Sequence, residues 1–325
     1  MKYSIFPATG DSISRLGFGA MGLGGAFGAH DENELIHAVL HSLDKGVNFI
    51  DTARGYGASE ELIGKSLKQW KGDRPFIASK IRPRGPGYSW GMPTPVEECF
   101  PKGCITSDIE ESLRTLGVET IDYMQMHQYW AGWEKADYWM EELIRAKEAG
   151  KIRTIGISIT DHRHDTALAL VASGAIDSIQ TILNIFDPLA LDCLLPLCEQ
   201  HGVAFFARCV LDEGGLTGFL TESTVFADHD FRKTFFENVP RSQYMAKVDR
   251  LRPYLDEETR TLAQLAIKFV LHSPAVTSAL VSMHIPAHAD DNFQVLQTEP
   301  LSDEIFHTLR TKHRWIRNFY DTKYW

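Results

Sequence analysis

The alternation of short strand patterns with helical patterns constrains the fold of this chain more than any other feature. Eight runs rich in β-branched, aromatic and other apolar residues recur along the 325 residues, and helical patterns lie between them. Strands that alternate with helices form parallel β-α units, and eight such units close naturally into a (β/α)8 barrel of the α/β class. The predicted strands are 14–21, 48–53, 76–81, 121–127, 154–159, 178–183, 204–209 and 278–283.

The first two helical patterns have recognisable starts. Asp31 is the predicted N-cap of the first, with Glu34 three residues later and Gly46 closing the helix. Ser59 is the predicted N-cap of the second, ahead of an acidic first turn that complements the helix dipole. Further helices are predicted near 106–116, 136–149, 165–173, 190–201, 258–274, 288–298 and 302–316.

Two long interruptions follow predicted strands. The segment 82–103 is too rich in Gly and Pro for regular structure, and 210–240 is a second excursion. A long loop after a barrel strand lies on the C-terminal face, where barrel enzymes keep their active sites. No Gly, Ser or Pro linker divides the chain, so 1–325 is predicted to be a single barrel domain with an added C-terminal helix and an aromatic tail.

Composition and charge narrow the partners. With 44% apolar and 23% charged residues, the chain has the composition of a globular protein, and its net charge of −10 argues against nucleic acid and anionic membranes. Small molecules are the predicted ligands. Five cysteines are an odd number that fits reduced thiols, and no metal site is predicted. The N-terminal segment lacks a signal-peptide core and no apolar run reaches about 18 residues, which predicts a cytoplasmic protein.

Four ionisable residues lie at or just after three consecutive predicted strands: Asp51, Tyr56, Lys80 and His127. A phenol titrates near pH 10, and a neighbouring ammonium such as that of Lys80 would lower this value. Asp51 would keep the lysine charged, and a neutral His127 could orient a substrate oxygen beside the phenol. Each residue taken singly could equally be a packing or rim residue. Their joint placement on one rim indicates a catalytic site without naming its reaction.

The motifs around these residues resemble those of the aldo-keto reductases. "FIDTARGYGASEELIGKSL", "FIASK" and "IDYMQMHQ" match the family's Asp-Tyr, lysine and histidine segments, and the likeness continues in family order to "AHADDNFQVL". Within this family, the chain resembles both the sugar and aldehyde reductase branch and the potassium-channel β-subunit-like branch. The resemblance implies a barrel that uses NADPH or NADH, with Tyr56 as general acid, Asp51 and Lys80 tuning it, and His127 orienting the carbonyl.

The resemblance also implies a cofactor site. By position, Ser158 and Gln180 would bind the nicotinamide carboxamide, Arg208 replaces a tyrosine that often stacks on the ring, and the "DEGGLTG" segment would follow the pyrophosphate. Asp291 and Asn292 match the pair at the adenine. The full set of predicted cofactor-binding residues is Gly19, Met21, Asp51, Ser158, Gln180, Arg208, Leu211, Gly214, Ser282, His284, His288, Asp291 and Asn292.

Two segments depart from the family pattern, at three positions. Ser158 is followed by Ile159 rather than the usual asparagine, and Ser282 and His284 stand where many members have a glycine and then a basic residue for the 2′-phosphate. A neutral histidine neutralises a phosphate poorly and lacks the fork of an arginine. The choice between NADPH and NADH therefore stays open, and protonation of His284 is predicted to make it pH-sensitive.

Aromatic residues in the long loops are the predicted substrate contacts. Tyr88 and Trp90 lie in the 82–103 loop, and Tyr129 and Trp130 follow His127. Their faces suit an aromatic carbonyl or the apolar face of a sugar, although they could equally be packing lids. The predicted function is NAD(P)H-dependent reduction of an aldehyde, ketone or keto sugar. Oxidation of a sugar and a regulatory cofactor-binding subunit with little turnover are the alternatives.

Overall fold

A computed structural model describes residues 1–85, 91–237 and 239–316. Eight parallel strands follow one another around a closed barrel in chain order, with the last beside the first, so the predicted (β/α)8 barrel is confirmed. The ends of the strands differ from the predicted ones by a few residues. The strands are β1 (Tyr3–Ile5), β2 (Ser12–Ser14), β3 (Leu16–Gly19), β4 (Phe49–Asp51), β5 (Phe76–Ile81), β6 (Ile121–Met126), β7 (Ile152–Ser158), β8 (Ser178–Ile182), β9 (Ala204–Arg208) and β10 (Val276–Ser282).

Helices connect successive barrel strands, as the sequence predicts. They are α1 (Glu32–Asp44), α2 (Ser59–Gln69), α3 (Val96–Cys99), α4 (Cys104–Leu116), α5 (Tyr138–Glu148), α6 (Leu168–Ala172), α7 (Leu194–His201), α8 (Phe231–Glu237), α9 (Arg241–Asp249), α10 (Leu262–Leu271), α11 (Pro286–Phe293) and α12 (Asp303–Lys312). Their apolar faces pack on the outer surface of the barrel, and this layer forms the larger of the two hydrophobic cores.

The lower end of the barrel is closed by a feature that the sequence did not reveal. β1 and β2 pair antiparallel as a hairpin, and Phe6 follows β1 into the barrel. The Phe6 ring lies 5.3 Å from the Phe76 ring and 5.8 Å from the Phe206 ring, measured between centroids. β1 and β2 are only three residues long, so neither is long enough to show the alternation of apolar and polar residues that predicts a strand.

The two predicted helix caps have different outcomes. Asp31 caps α1, because its carboxylate accepts hydrogen bonds from the backbone N–H groups of Asn33 (2.8 Å) and Glu34 (3.3 Å). The prediction for Ser59 is wrong: Ser59 is the first residue of α2, and its hydroxyl donates to the Ala20 carbonyl (2.9 Å). The close approach of the chain after β3 offers that hydroxyl a buried acceptor, so it does not cap its own helix.

Both long interruptions contain some regular structure. The 82–103 segment includes the single-turn helix α3, which the Gly and Pro content did not predict. The 210–240 segment includes α8, and the backbone N–H of Phe231 at its start donates to the Ala26 carbonyl (2.9 Å). The second excursion therefore contacts the loop that precedes α1. No helix in the described parts of the chain has the length and apolar content that crossing a membrane requires.

Candidate active site

The structure brings together the four ionisable residues that the sequence singles out. Asp51 ends β4, Lys80 lies near the end of β5, and His127 directly follows β6, while Tyr56 lies in the turn between β4 and α2. Neighbouring strands are parallel, so their carboxyl ends meet at one rim of the barrel.

Lys80 and Asp51 form a buried ion pair. The Lys80 ammonium lies 2.5 Å from one Asp51 carboxylate oxygen and donates to the Thr52 carbonyl at 2.9 Å. The other Asp51 oxygen accepts from the side-chain amides of Gln125 (3.0 Å) and Gln180 (2.8 Å). Burial lowers the pKa of Lys80, and the attraction of Asp51 opposes that shift. The carboxylate and its three donors thus hold each other in place inside the barrel.

Tyr56 lies above this pair. The Lys80 nitrogen is 4.9 Å from the centroid of the Tyr56 ring. Burial, aided by the Asp51 carboxylate, raises the pKa of Tyr56 well above its usual value, although Arg208 pulls in the opposite direction. This differs from the lowered pKa expected from the sequence, because desolvation is the largest effect and the Asp51 carboxylate adds to it. Tyr56 therefore keeps its proton at neutral pH and can donate it.

His127 completes the rim beside Tyr56. The two rings meet edge to face, with centroids 5.5 Å apart and planes inclined by 75°. Burial lowers the pKa of His127 well below its usual value, and the nearby charges of Lys80 and Arg208 lower it further. The imidazole is consequently neutral at physiological pH, as the sequence argument expects.

Asp51, Tyr56 and His127 line a cavity of about 970 Å³. That volume lies at the upper end of the range of roughly 300–1,000 Å³ that is usual for small-molecule sites. All of the predicted cofactor-binding residues except Ser158 line it. The predicted residues on its walls are Gly19, Met21, Asp51, Tyr56, His127, Gln180, Arg208, Leu211, Gly214, Ser282, His284, His288, Asp291 and Asn292.

Two observations fit a bound cofactor. Ser158 pairs with Gln180 across neighbouring strands just outside the cavity wall; it is buried, and its hydroxyl oxygen has no hydrogen-bond partner among the described residues. Two wall positions need glycine: a Cβ at Gly19 would lie 3.1 Å from the Val281 carbonyl, and Gly214 has φ 90°. Gln180 has a partner already, since its amide donates to Asp51.

The wall next to the catalytic residues is built from strained and charged groups. Cys209 (φ 52°), Asp212 (φ 50°) and Glu213 (φ 55°) all have left-handed backbone conformations that non-glycine residues rarely adopt. Burial raises the pKa of Glu213 to about 6. Arg208 donates to the Ile159 carbonyl at 2.8 Å, which anchors its side chain in this wall. The local strain marks this segment as a ligand-facing wall.

Arg208 is also paired with Asp161 at 2.5 Å. Burial works against the charge of Arg208, yet Asp161 keeps the pKa of the guanidinium above its usual value. Arg208 therefore stays charged beside Tyr56 and His127, where an aromatic residue would contribute no charge.

The other end of the cavity lies after β10. Ser282 and His284 share a hydrogen bond of 2.6 Å between the hydroxyl and Nδ1. Burial, reinforced by His30 and Arg232, lowers the pKa of His284 to about 4. The predicted pH switch at His284 is therefore wrong for the physiological range, because the ring is already neutral at pH 6.

Two of the four predicted substrate aromatics, Tyr129 and Trp130, do not line the cavity. Tyr129 and Trp130 are buried and are not among the cavity-lining residues. The Tyr129 ring packs edge to face on Trp133, and the Arg163 guanidinium lies 5.3 Å from the Trp130 ring. Both rings act here as packing residues. Tyr88 and Trp90 lie outside the described residues.

Several cavity residues were missed from the sequence. Gln125, which lies outside the cavity and holds Asp51, could also have been found, because it precedes His127 by two residues in the chain. Phe27, His30 and Arg232 lie in loops or in α8, where no periodicity marks them. For α8, the only signal was the length of the 210–240 excursion to which it belongs.

A (β/α)8 barrel with a buried Lys-Asp pair, a protonated tyrosine and a neutral histidine at its C-terminal rim defines the class of protein. The model of the aldo/keto reductase family matches residues 15–314, and the chain belongs to that family, whose members carry out NAD(P)H-dependent carbonyl reduction. In the described residues, no group of three or more His, Cys, Asp or Glu side chains is arranged to hold a metal ion.

Similar proteins span the branches that the motifs resemble. The chain is 25% identical over 319 residues to an NADH-specific methylglyoxal reductase of Escherichia coli, covering 93% of this chain and 95% of that protein. It is 26% identical over 320 residues to a probable voltage-gated potassium channel subunit beta of Arabidopsis thaliana, covering 93% of each. Among solved structures, the glycerol dehydrogenase AKR11B4 from Gluconobacter oxydans superimposes with a TM-score of 0.76 at 25% identity, covering 100% of this chain and 99% of that one.

Proposed function

We propose that this protein reduces an aldehyde, a ketone or a keto sugar to an alcohol, using NADH or NADPH, with Tyr56 as the proton donor. The observation that carries the proposal is the position of Tyr56, whose ring lies 4.9 Å from the buried Lys80 ammonium and beside the neutral His127 ring. A protonated phenol, a fixed cation and a neutral hydrogen-bond donor around one cavity are the groups that carbonyl reduction needs.

Each residue has a distinct part in the proposed reaction. His127 donates a hydrogen bond to the carbonyl oxygen and orients it, and Tyr56 gives its proton to that oxygen as negative charge develops there. Lys80 stabilises the phenolate that Tyr56 becomes, and Asp51 holds the lysine in place. When bound, the nicotinamide supplies the hydride. Gln180 and Ser158 are the proposed contacts for the nicotinamide carboxamide, and Gly214 for the pyrophosphate of the dinucleotide. Asp291 and Asn292 are the proposed contacts for its adenine.

The reverse direction is the nearest alternative. The same groups can remove a proton from an alcohol, and the structurally similar Gluconobacter protein is named as a glycerol dehydrogenase. A regulatory subunit with little turnover is a second alternative, and the similar Arabidopsis protein bears a channel-subunit name. The protonated state of Tyr56 favours reduction at neutral pH, because a proton donor is in place before the substrate arrives.

Replacement of Tyr56 by phenylalanine tests the proposal. Tyr56→Phe removes the proton donor and leaves the ring, so turnover of a panel of aldehydes, ketones and keto sugars should fall by about 10²–10⁴-fold. Binding of NADH or NADPH, measured by calorimetry on the same samples, should stay within a few-fold. Tyr3→Phe is the matched control, because Tyr3 donates to the Gly46 carbonyl on the opposite side of the barrel.

Three results would count against the proposal. Full turnover in Tyr56→Phe would remove Tyr56 from the reaction. Tight nucleotide binding with no turnover of any carbonyl or alcohol by the wild-type protein would favour the regulatory subunit. Failure of both nucleotides to bind would reject the oxidoreductase itself.

A further inference from the structure

The cavity continues well beyond the catalytic residues. From Tyr56 and His127 it extends to a far end formed by the loop before α1, by α8 and by the start of α11. If the proposed function holds, the nicotinamide must lie beside Tyr56, so the adenosine half of the dinucleotide must occupy this far end. The groups found there determine whether the site can bind a 2′-phosphate on the ribose.

His284 is fixed in the wall of the far end. Its Nδ1 shares the 2.6 Å hydrogen bond with Ser282, and its ring packs between His30 (4.9 Å between centroids) and Phe27 (5.9 Å). On its remaining side it lies close to the backbone of Gly22, where an added Cβ would come within 2.6 Å of the ring. The imidazole therefore cannot swing far, and its pKa of about 4 leaves it uncharged at neutral pH.

The arginine at this end is already engaged with an acid. Among the described residues that line the cavity there is no lysine, and Arg232 is the arginine of the far end. Its Nε and Nη2 donate to the two carboxylate oxygens of Asp230 at 2.9 and 2.6 Å, and Nη2 also donates to the Phe27 carbonyl at 3.1 Å. Two parallel hydrogen bonds of this kind occupy the Nε–Nη2 edge of the guanidinium, one of the edges that could otherwise clasp a phosphate.

A second carboxylate faces the far end from α11. Asp291 lines the cavity and accepts hydrogen bonds from the amide of Gln264 (3.0 Å) and the hydroxyl of Thr261 (3.3 Å), both of which are neutral donors. Its charge is therefore not cancelled by these partners. A dianionic phosphate arriving here would meet the uncancelled charge of Asp291 and a pair, Arg232 with Asp230, whose charges sum to zero.

We propose that this protein prefers NADH to NADPH, because the far end of the cavity offers His284 and Ser282 as hydrogen-bonding groups for a ribose hydroxyl and commits the charge of Arg232 to Asp230. A hydroxyl and an imidazole can each donate to or accept from the 2′-hydroxyl of NADH. They do not compensate the two negative charges of a 2′-phosphate, which needs charge-assisted partners to offset its loss of water.

Calorimetric titration at neutral pH with NADH and NADPH separately tests this preference through binding alone. The wild-type protein should bind NADH at least about tenfold more tightly than NADPH, as expected when one charged group loses its hydrogen-bonded counter-charge. His284→Arg should tighten NADPH binding by a similar factor. Asp230→Asn should also tighten it by releasing Arg232, since the asparagine oxygen can still accept the Arg232 backbone N–H that Asp230 accepts at 2.9 Å.

Asp228→Asn is the matched control for Asp230→Asn. Asp228 lies two residues away in the same segment and forms an exposed pair with Lys233 (2.6 Å), away from the cavity-lining set. Its removal should leave the affinity for both nucleotides unchanged. Binding of NADH with wild-type affinity shows in the same experiment that each variant is folded.

The possible results separate this inference from the function on which it rests. NADPH binding as tight as or tighter than NADH binding in the wild-type protein would overturn the preference and leave the oxidoreductase intact. No binding of either nucleotide would overturn the proposed function. Unchanged NADPH affinity in both His284→Arg and Asp230→Asn would show that these residues do not set the choice.

Discussion

At the scale of single residues, the pair of Lys80 and Asp51 is the most tightly constrained feature of the molecule. Lys80 is completely buried and Asp51 nearly so, at 0% and 4% exposure. Two buried charges are tolerable only because each has several partners. Besides Lys80, the Asp51 carboxylate has the amides of Gln125 and Gln180 as hydrogen-bond donors. Function rather than stability explains such a pair, since apolar residues of similar volume would often serve the fold as well.

The first prediction concerns this pair. Lys80→Met leaves the Asp51 carboxylate buried without its counter-charge, so the free energy of unfolding should fall by about 3–5 kcal/mol. In the double variant Asp51→Asn, Lys80→Met the buried charge is gone, and most of that loss should be recovered. Urea denaturation of the wild type, both single variants and the double variant gives the coupling energy. Equal stability of Lys80→Met and the wild type would show that the pair is not coupled as its 2.5 Å separation indicates.

The double variant also separates stability from chemistry. It should regain its fold and yet remain inactive, because Tyr56 then lacks the cation that stabilises its phenolate. Recovery of turnover together with stability would contradict the role proposed for Lys80.

At the scale of elements, the helices and loops between the strands differ in how locally they are specified. α1 is specified by its own sequence, from the Asp31 cap to its apolar face. α8 depends on distant contacts, because Phe231 bonds to Ala26 and Arg232 to the Phe27 carbonyl across the cavity. Asp230 caps the first turn of α8, because its carboxylate accepts the Arg232 backbone N–H (2.9 Å), but the position of the helix also depends on the loop before α1.

The second prediction tests the local specification of α1. Asp31→Ala removes the acceptor for two backbone N–H groups, so the free energy of unfolding should fall by about 0.5–2 kcal/mol. Asp44→Ala at the opposite end of the same helix is the control. An acidic residue there opposes the helix dipole, so its removal should be neutral or slightly stabilising. Thermal unfolding of both variants measures the difference, and equal losses in the two would contradict the capping role.

At the scale of the whole molecule, the barrel separates a closed lower end from an open upper one. The lower end is filled by Phe6 and the aromatic rings around it, and the upper end carries the ionisable residues and the cavity. This division lets the loops at the top adopt strained conformations, such as those at Asp212 and Glu213, while packing below supplies stability.

The third prediction follows from this division. Phe6→Ala should lower the free energy of unfolding by about 3–5 kcal/mol, because it empties a fully buried site that contacts the rings of Phe76 and Phe206. Nucleotide affinity of the folded protein should not change, since the cavity lies at the other end of the barrel. Ile5→Ala in the same hairpin is the control: Ile5 is 60% exposed, and its loss should cost less than about 0.5 kcal/mol.

Local patterns in the sequence revealed residues that lie in a strand or just after its end. All eight barrel strands and the rim positions of Asp51, Lys80 and His127 follow from short-range patterns, because each residue's place depends on a strand only a few residues long. Ser59 was misassigned because its acceptor, the Ala20 carbonyl, is 39 residues away. Arg232 and Phe27 were not found for the same reason, since they meet across more than 200 residues of chain.

The sequence by itself determined the order of strands and helices, the closure of the barrel and the identity of the groups at its rim, because hydrophobic periodicity and strand-end positions are local properties. Only the tertiary structure decided the charge states of those groups and their partners. Tyr56 keeps its proton and His284 loses its own because of burial and neighbouring charges, and both come from parts of the chain far apart in sequence. Desolvation and charge pairing depend on which residues the fold brings together, and no local pattern records that.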